Sequence, residues 1–261
     1  PISLDKALKI DAAKAALDKE WNKLDKLPAW DMSRVQERAK VQERGRRTKT
    51  TIHFGSVREL CHLRNSELAA HLQSYKGRIV FRGDIVRDEE GFYAVFSEQG
   101  TSSSQMMATK FLDVIAHMPG CKGEDSDAIG AYTQMKLSDA ERLLGAGVIP
   151  ETWVSLPKHH WPKHWHKMTD PVVPLLANLY GHPLAGLLWD KGSQEKILKA
   201  GFEKVKGWES LYVHRAKQLF LSVYVDDFHM AGKAENLAPM WATLRDKCGL
   251  ALEPPTPFSS T

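Results

Sequence analysis

A chain of 261 residues with 43% hydrophobic and 26% charged side chains is long enough to bury a real core, and its net charge of +4 permits a polyanionic partner without demanding one. Cys61, Cys121 and Cys248 are odd in number, far apart and without CxxC spacing, so neither a disulfide framework nor a zinc ribbon is expected, and a reducing compartment is. No apolar run reaches membrane-spanning length and PISLDKALK lacks the core of a signal peptide, which points to an intracellular chain in cytoplasm or nucleus with no membrane partner.

In chain order, Leu4, Leu8, Ala12, Ala15, Ala16, Leu17, Trp21, Leu24 and Leu27 recur at helical spacing among lysines and acids and predict one amphipathic helix closed near Pro28. RVQERAKVQERGRRTK, from Arg34 to Lys49, is mainly charged and reads either as a solvated helix or loop or as a nucleic-acid contact. RIVFR (78–82) and FYAVF (92–96) flank the turn-like RDEEG and predict a hairpin. Residues 102–120 carry serine caps, a helical apolar pattern and a Pro-Gly stop, and a small helix is expected from Ser138 to Leu144. A strand at TWVSL (152–156) precedes PKHHWPKHWHK. There His159, His160, His164 and His166 would suit zinc, but no cysteine or acid accompanies them in sequence. Two prolines and two tryptophans point instead to an irregular loop that packs its rings, and a basic aromatic loop can also stack on a nucleic-acid strand. A helix from Leu184 to Ala200, two strands in LYVHRAKQLFLSVYV joined by a basic turn, and a helix from Ala234 to Lys247 complete an α+β pattern.

LFLSVYVDDFHMAG (219–232) places two adjacent carboxylates, Asp226 and Asp227, in a strand-forming run. Side chains alternate across a strand, so both can avoid the core only at a hairpin tip, where hard oxygen donors would select Mg²⁺ or Mn²⁺. A solvated turn is the plainer reading of YVDD alone. A two-metal phosphoryl-transfer site needs acids from separate elements, holding the ions roughly 3.5 to 4 Å apart. Asp125 and Asp127 in GEDSDAIGAYTQ are the candidates for a third.

The collinear order of these segments resembles the reverse transcriptase domain of copia-type LTR retrotransposons over nearly the whole chain. DKALKIDAAKAALDKEWNKLDKLPAWD is similar to that family's opening helix, YKGRIVFRGD to its basic fingers strand, DAIGAYTQ to its first catalytic motif. NLYGHPLAGLLWD resembles its tyrosine-glycine motif and tryptophan-bearing helix, and ESLYVHRAKQLFLSVYVDDF its second catalytic hairpin. The resemblance implies a polymerase-like fingers and palm fold with an antiparallel palm sheet backed by helices. It would be laid out as an N-terminal helix and basic extension (1–74), fingers (75–120) and a palm (121–261) that stops before a thumb and ribonuclease H domain.

It also implies RNA-directed DNA polymerase activity on a primed RNA or DNA template with deoxynucleoside triphosphates and two Mg²⁺ or Mn²⁺ ions. Asp127 and Asp226 would be the principal metal ligands and Asp227 the adjoining acid. Tyr132 would pack under the incoming sugar, Lys76, Arg78 and Arg82 would approach the triphosphate, and Tyr180 and Gly181 would line the nucleotide and template site. Other Pol polyprotein domains, integrase and ribonuclease H, would be partners. The alternative is a catalytically decayed remnant that only binds nucleic acid; a metal-dependent nuclease is a third reading, disfavoured because it has no use for Tyr132.

Overall fold

The computed structural model describes residues 1–94, 106–145, 147 and 149–258, the Met106 side chain excepted. Its first elements are α1 (Leu4–Ala7), α2 (Asp11–Lys26), β1 (Gln36–Glu37), α3 (Arg38–Thr48), β2 (Ile52–Arg64), β3 (Ser74–Phe81), α4 (Met106–Ala116), β4 (Cys121–Asp127) and α5 (Ala140–Leu144). There follow β5 (Glu151–Ser155), β6 (Pro171–Pro174), α6 (Ala185–Lys199), β7 (Glu203–Lys204), β8 (Leu211–His214), β9 (Leu219–Tyr224), β10 (Asp227–Lys233), α7 (Ala234–Ala242) and β11 (Thr256–Pro257). Helices and largely antiparallel sheets mix as an α+β pattern requires. The chain divides into two compact units, 1–97 with 136–185 and 98–135 with 186–261, so the chain passes out of the first unit and back before ending in the second. No helix among the described residues is long and apolar enough to cross a membrane.

In the first unit the strand order is β1-β6-β5-β2-β3. The expected opening helix is two, because Ile10 is extended (φ −109°, ψ 112°) and interrupts it; α2 then buries Ala13, Leu17, Trp21 and Leu24 along one stripe. That stripe packs on β3 where Gly77 leaves no side chain: a Cβ there would lie 2.6 Å from the Ala16 carbonyl oxygen. The hairpin expected between 78–82 and 92–96 is corrected. β3 pairs instead with β2, antiparallel from Val57↔Phe81 to Arg64↔Ser74, while β2 runs parallel to β5 from Ile52↔Glu151 to Ser56↔Ser155. The RDEEG turn does form, with Asp88 accepting from the Glu90 and Phe92 N–H groups and Arg87 bridging Tyr93. Residues 95 and 96 of the proposed second strand lie outside the described residues, as do 102–105 of the serine-capped helix. The charged stretch resolves into helix α3, with Val41 buried.

His182 sits in this unit's core against the Phe81 ring, centroids 5.0 Å apart. Its Nδ1 accepts from the Leu184 N–H at 3.2 Å and its Nε2 lies 3.4 Å from Thr152 Oγ1, a pattern that suits the neutral ring. Burial, then the charge of His53, lowers its pKa to about 3. The folded state therefore resists a proton that the unfolded state accepts below about pH 6.5. Stability from this group is unchanged above that pH and falls by up to about 1.4 kcal/mol per pH unit on acidification toward pH 3. Urea unfolding of the wild type and His182→Gln at pH 7, 6, 5 and 4 checks this: the substitution should flatten the acid slope.

The second unit holds a sheet of order β11-β4-β10-β9-β8-β7, antiparallel throughout. Both strands expected in LYVHRAKQLFLSVYV are present as β8 and β9. Alternation along them separates two faces. Leu221, Val223, Phe228 and Met230 are buried on one, where Trp189 of α6 meets Phe228 edge-on with centroids 6.4 Å apart and Trp241 of α7 donates its indole N–H to Glu124 at 2.8 Å. On the other, Ala108 and Leu112 of α4 bury against Leu211 and Ala231, with Phe111, Phe220 and Phe258 beside them. The last helix ends its α-helical part at Ala242 and finishes in a wider turn over Thr243–Lys247.

Candidate active site

The turn between β9 and β10 answers why two aspartates stand side by side in an apolar hairpin. Tyr224 pairs with Asp227 across the hairpin, leaving Val225 and Asp226 as the two residues of the tip. Asp226 is exposed at that tip, whereas Asp227 opens β10 and is half-buried. Val225 holds φ at 54°, the left-handed region that costs a β-branched residue most. Two bonds hold it there: the Trp189 indole N–H donates to the Val225 carbonyl, and the Ala128 N–H donates to the Asp226 carbonyl at 2.7 Å. Val225→Gly should therefore raise stability by about 1 kcal/mol by relieving the left-handed strain, while loosening the aspartates and lowering any activity they support. Thermal melts and rate measurements on the same variant check both arms.

Asp127, the last residue of β4, stands directly opposite Asp227 of β10. Three carboxylates from two elements thus meet at one end of the sheet. Asp127 and Asp227 share a face with α4, and that face grades from apolar (Phe220, Ala231) through the register pairs Ser222–His229–Asp125 to the acidic end at Tyr224, Asp227 and Asp127. Burial, then the charges of Asp226 and Asp127, push the Asp227 carboxyl above its ordinary range, with His229 opposing them. Burial and then the charge of Asp226 likewise raise the Tyr132 hydroxyl, which stands half-buried on the short turn Ala131–Gln134.

The other acids of this strand are otherwise engaged. Asp125 hydrogen-bonds His229, and that bond raises the imidazole pKa; Glu124 faces the opposite side of the sheet and accepts from Trp241. Asp125 is thus turned to His229, its register partner, two residues before Asp127. Trp189, which fixes the tip, was visible in sequence only as the tryptophan of a helix.

The remaining candidates belong to the first unit. Lys76 and Arg78 share one face of β3, opposite the buried Ile79 and Phe81, and Arg82 follows at the strand's end. Arg82 forks onto Asp84 at 2.8 and 3.3 Å, so one of its partners is already within the chain. Pairing of β3 with β2 adds two residues that sequence reading overlooked: His62 stands opposite Lys76 and the exposed Arg58 opposite Val80. Tyr180 and Gly181 cross the end of β3. The Phe81 N–H donates to the Tyr180 carbonyl at 2.7 Å, and Gly181, at φ 88°, lies where a Cβ would be 2.1 Å from the Phe81 carbonyl oxygen.

Three aspartate carboxylates offer hard oxygen donors of the kind Mg²⁺ and Mn²⁺ take. Among the described residues, however, the cluster whose His, Cys, Asp or Glu donor atoms all lie within 4.8 Å of one another is Glu59, His159 and His160, in the first unit. The aspartates do not converge so tightly. A Mg²⁺ site does not require it, since this ion commonly takes one or two carboxylates and completes its shell with water and substrate phosphate.

No protein-family model matches the chain. It is similar to the Transposon Ty1-ER2 and Ty1-MR2 Gag-Pol polyproteins of Saccharomyces cerevisiae, each 24% identical over 222 residues. Those matches cover 85% of this chain and 10% of each relative, so the chain spans about a tenth of the polyproteins' length. Among solved structures, telomerase from Candida albicans in complex with a TWJ fragment of telomeric RNA aligns at 7% identity with a TM-score of 0.44, over 95% of this chain and 47% of that one.

Proposed function

We propose that this chain is the reverse transcriptase segment of a copia-type retroelement Pol polyprotein, an RNA-directed DNA polymerase that extends a primer on an RNA or DNA template. The observation that carries the reading is the meeting of Asp127, Asp226 and Asp227 at one sheet end, from motifs about a hundred residues apart in sequence. The likeness to two Gag-Pol polyproteins over 85% of the chain supports it. On this reading the second unit supplies the palm, with α6 and α7 behind its antiparallel sheet, and β2 and β3 of the first unit supply the fingers.

Asp127, Asp226 and Asp227 would hold two divalent cations, Mg²⁺ or Mn²⁺, whose chemistry is to favour ionisation of the primer 3′-hydroxyl and to neutralise charge on the triphosphate. The chain's own residues do the positioning. The Trp189 and Ala128 hydrogen bonds hold the Asp226 tip, and Tyr132, close enough to feel the Asp226 charge, would pack under the deoxyribose and exclude a 2′-hydroxyl. Lys76 and Arg78 would draw the triphosphate to their face of β3, with Arg58 extending the positive surface toward template. Arg82 would bind phosphate by exchanging Asp84 for it. Gly181 and Tyr180 would keep the end of β3 in place beside template and nucleotide. Integrase and ribonuclease H regions of the same polyprotein are the expected partners.

Primer extension on poly(rA)/oligo(dT) with Mg²⁺ or Mn²⁺, wild type against Asp226→Asn, tests the proposal. Metal-dependent extension confined to the wild type supports it. Template binding without extension would establish the binding remnant instead, and strand degradation the nuclease.

A further inference from the structure

The histidine-rich loop carries no acid in its own sequence, yet the fold brings one to it. Glu59 lies on the face of β2 that α2 covers, between Arg58 and Leu60, which alternation turns the other way. Its side chain is only 1% exposed. The Trp21 indole N–H donates to its Oε1 at 2.7 Å. The turn Lys158–His160, two residues beyond β5, delivers two imidazoles to the same carboxylate: His159 Nε2 lies 2.9 Å from Oε2 and His160 Nε2 3.2 Å from Oε1. That turn is pinned on both sides. The His160 N–H donates to the Pro157 carbonyl at 2.9 Å, the Trp161 indole N–H to the Leu156 carbonyl at 2.8 Å, and the His160 ring stacks on Trp21 with centroids 3.8 Å apart.

We propose that Glu59, His159 and His160 form a zinc site that clamps the histidine-rich loop to β2, with its fourth position open to solvent beside His159. Three observations carry it. The donor set, two imidazoles and one carboxylate, is one that Zn²⁺ takes with a remaining open position. The three donor atoms lie within 4.8 Å of one another; bonds of about 2.0 to 2.1 Å in a tetrahedron set ligand atoms about 3.3 Å apart, against 2.9 Å between His159 Nε2 and Glu59 Oε2. Finally, Glu59 Oε2 is sealed from water, with His159 Nε2 its near neighbour at 2.9 Å. The Trp21 bond to Oε1 is the outer contact that orients a ligating carboxylate, and His159, the most exposed of the three at 44%, gives the ion an entry path.

The test is calorimetric titration of ZnCl₂ into the full chain after chelator treatment, together with the visible spectrum of the Co²⁺-substituted chain. Expected are about one equivalent of zinc, an intense four-coordinate Co²⁺ spectrum, a rise in melting temperature on zinc addition, and its reversal by EDTA. His159→Ala, at the exposed position, should weaken zinc binding by more than about a hundredfold, and Trp21→Phe by about tenfold. His164→Ala should bind as the wild type does. The Co²⁺ spectrum reads the coordination without any variant, so a misfolded mutant cannot obscure the answer. No zinc uptake, uptake unchanged in His159→Ala, or uptake abolished by Asp226→Asn would each overturn the site, and none of these outcomes depends on polymerase activity.

Discussion

Asp226→Asn is expected to lower metal-dependent primer extension by about a thousandfold or more while leaving the fold intact. A divalent ion on a phosphoryl group contributes several kcal/mol of transition-state charge stabilisation, and each 1.36 kcal/mol is a factor of ten in rate. Removing one anion from the cluster should forfeit most of that. The fold should survive because Asp226 is exposed at the hairpin tip and its backbone, not its side chain, receives the Ala128 bond. The melting temperature should hold or rise slightly, since the charge of Asp226 is one of the causes that raise the Asp227 carboxyl. Single-turnover extension paired with a melting curve separates the two effects. Extension within tenfold of the wild type would remove Asp226 from the chemistry, and a collapsed melt would mean that it supports the fold.

Gly181→Ala should cost about 3 kcal/mol or more of stability, among the largest losses available to an added methyl group. Two penalties combine. At φ 88° an L side chain enters the left-handed region at about 1 to 2 kcal/mol, and its Cβ would stand 2.1 Å from the Phe81 carbonyl oxygen, backbone that cannot swing aside. The crossing is reciprocal, for a Cβ on Gly83 would lie 2.3 Å from the Gly181 carbonyl oxygen. Gly83→Ala should therefore destabilise too, and the double variant by less than the sum, because each opens the crossing for the other. Urea denaturation of the three variants measures this. A loss below about 1 kcal/mol in Gly181→Ala would show that the crossing relaxes freely. The tyrosine-glycine phrase is conspicuous in sequence as a site motif; in the fold its glycine makes a close approach to the chain's own backbone at Phe81.

What local pattern controls was legible. The hairpin of β9 and β10, the tip position of Asp226, helix α6 and strand β5 follow from periodicity and turn chemistry within a dozen residues. β2 was not legible. IHFGSVRELCHLR buries Glu59 among its inward residues and exposes Arg58, so its alternation does not read as apolar and polar. With β2 hidden in this way, the nearest downstream run, FYAVF, presents itself as the partner of RIVFR. Strand pairing is fixed by which edge the rest of the fold presents, and a parallel pair such as β2 with β5 leaves no short-range mark in sequence.

The same division holds for the two clusters of charge. The sequence determined the supply of chemistry: adjacent aspartates at a turn, an aspartate ahead of Tyr132, basic residues on one face of β3, and histidines packed into one loop. Only the tertiary structure decided which of these meet. Antiparallel register puts Asp127 opposite Asp227 and turns Asp125 toward His229. The meeting of β2 with the end of β5 sets Glu59 beneath His159 and His160 across about a hundred residues of chain. The physical reason is range: propensity and periodicity act over a few residues, whereas register and burial are settled by the whole packed sheet.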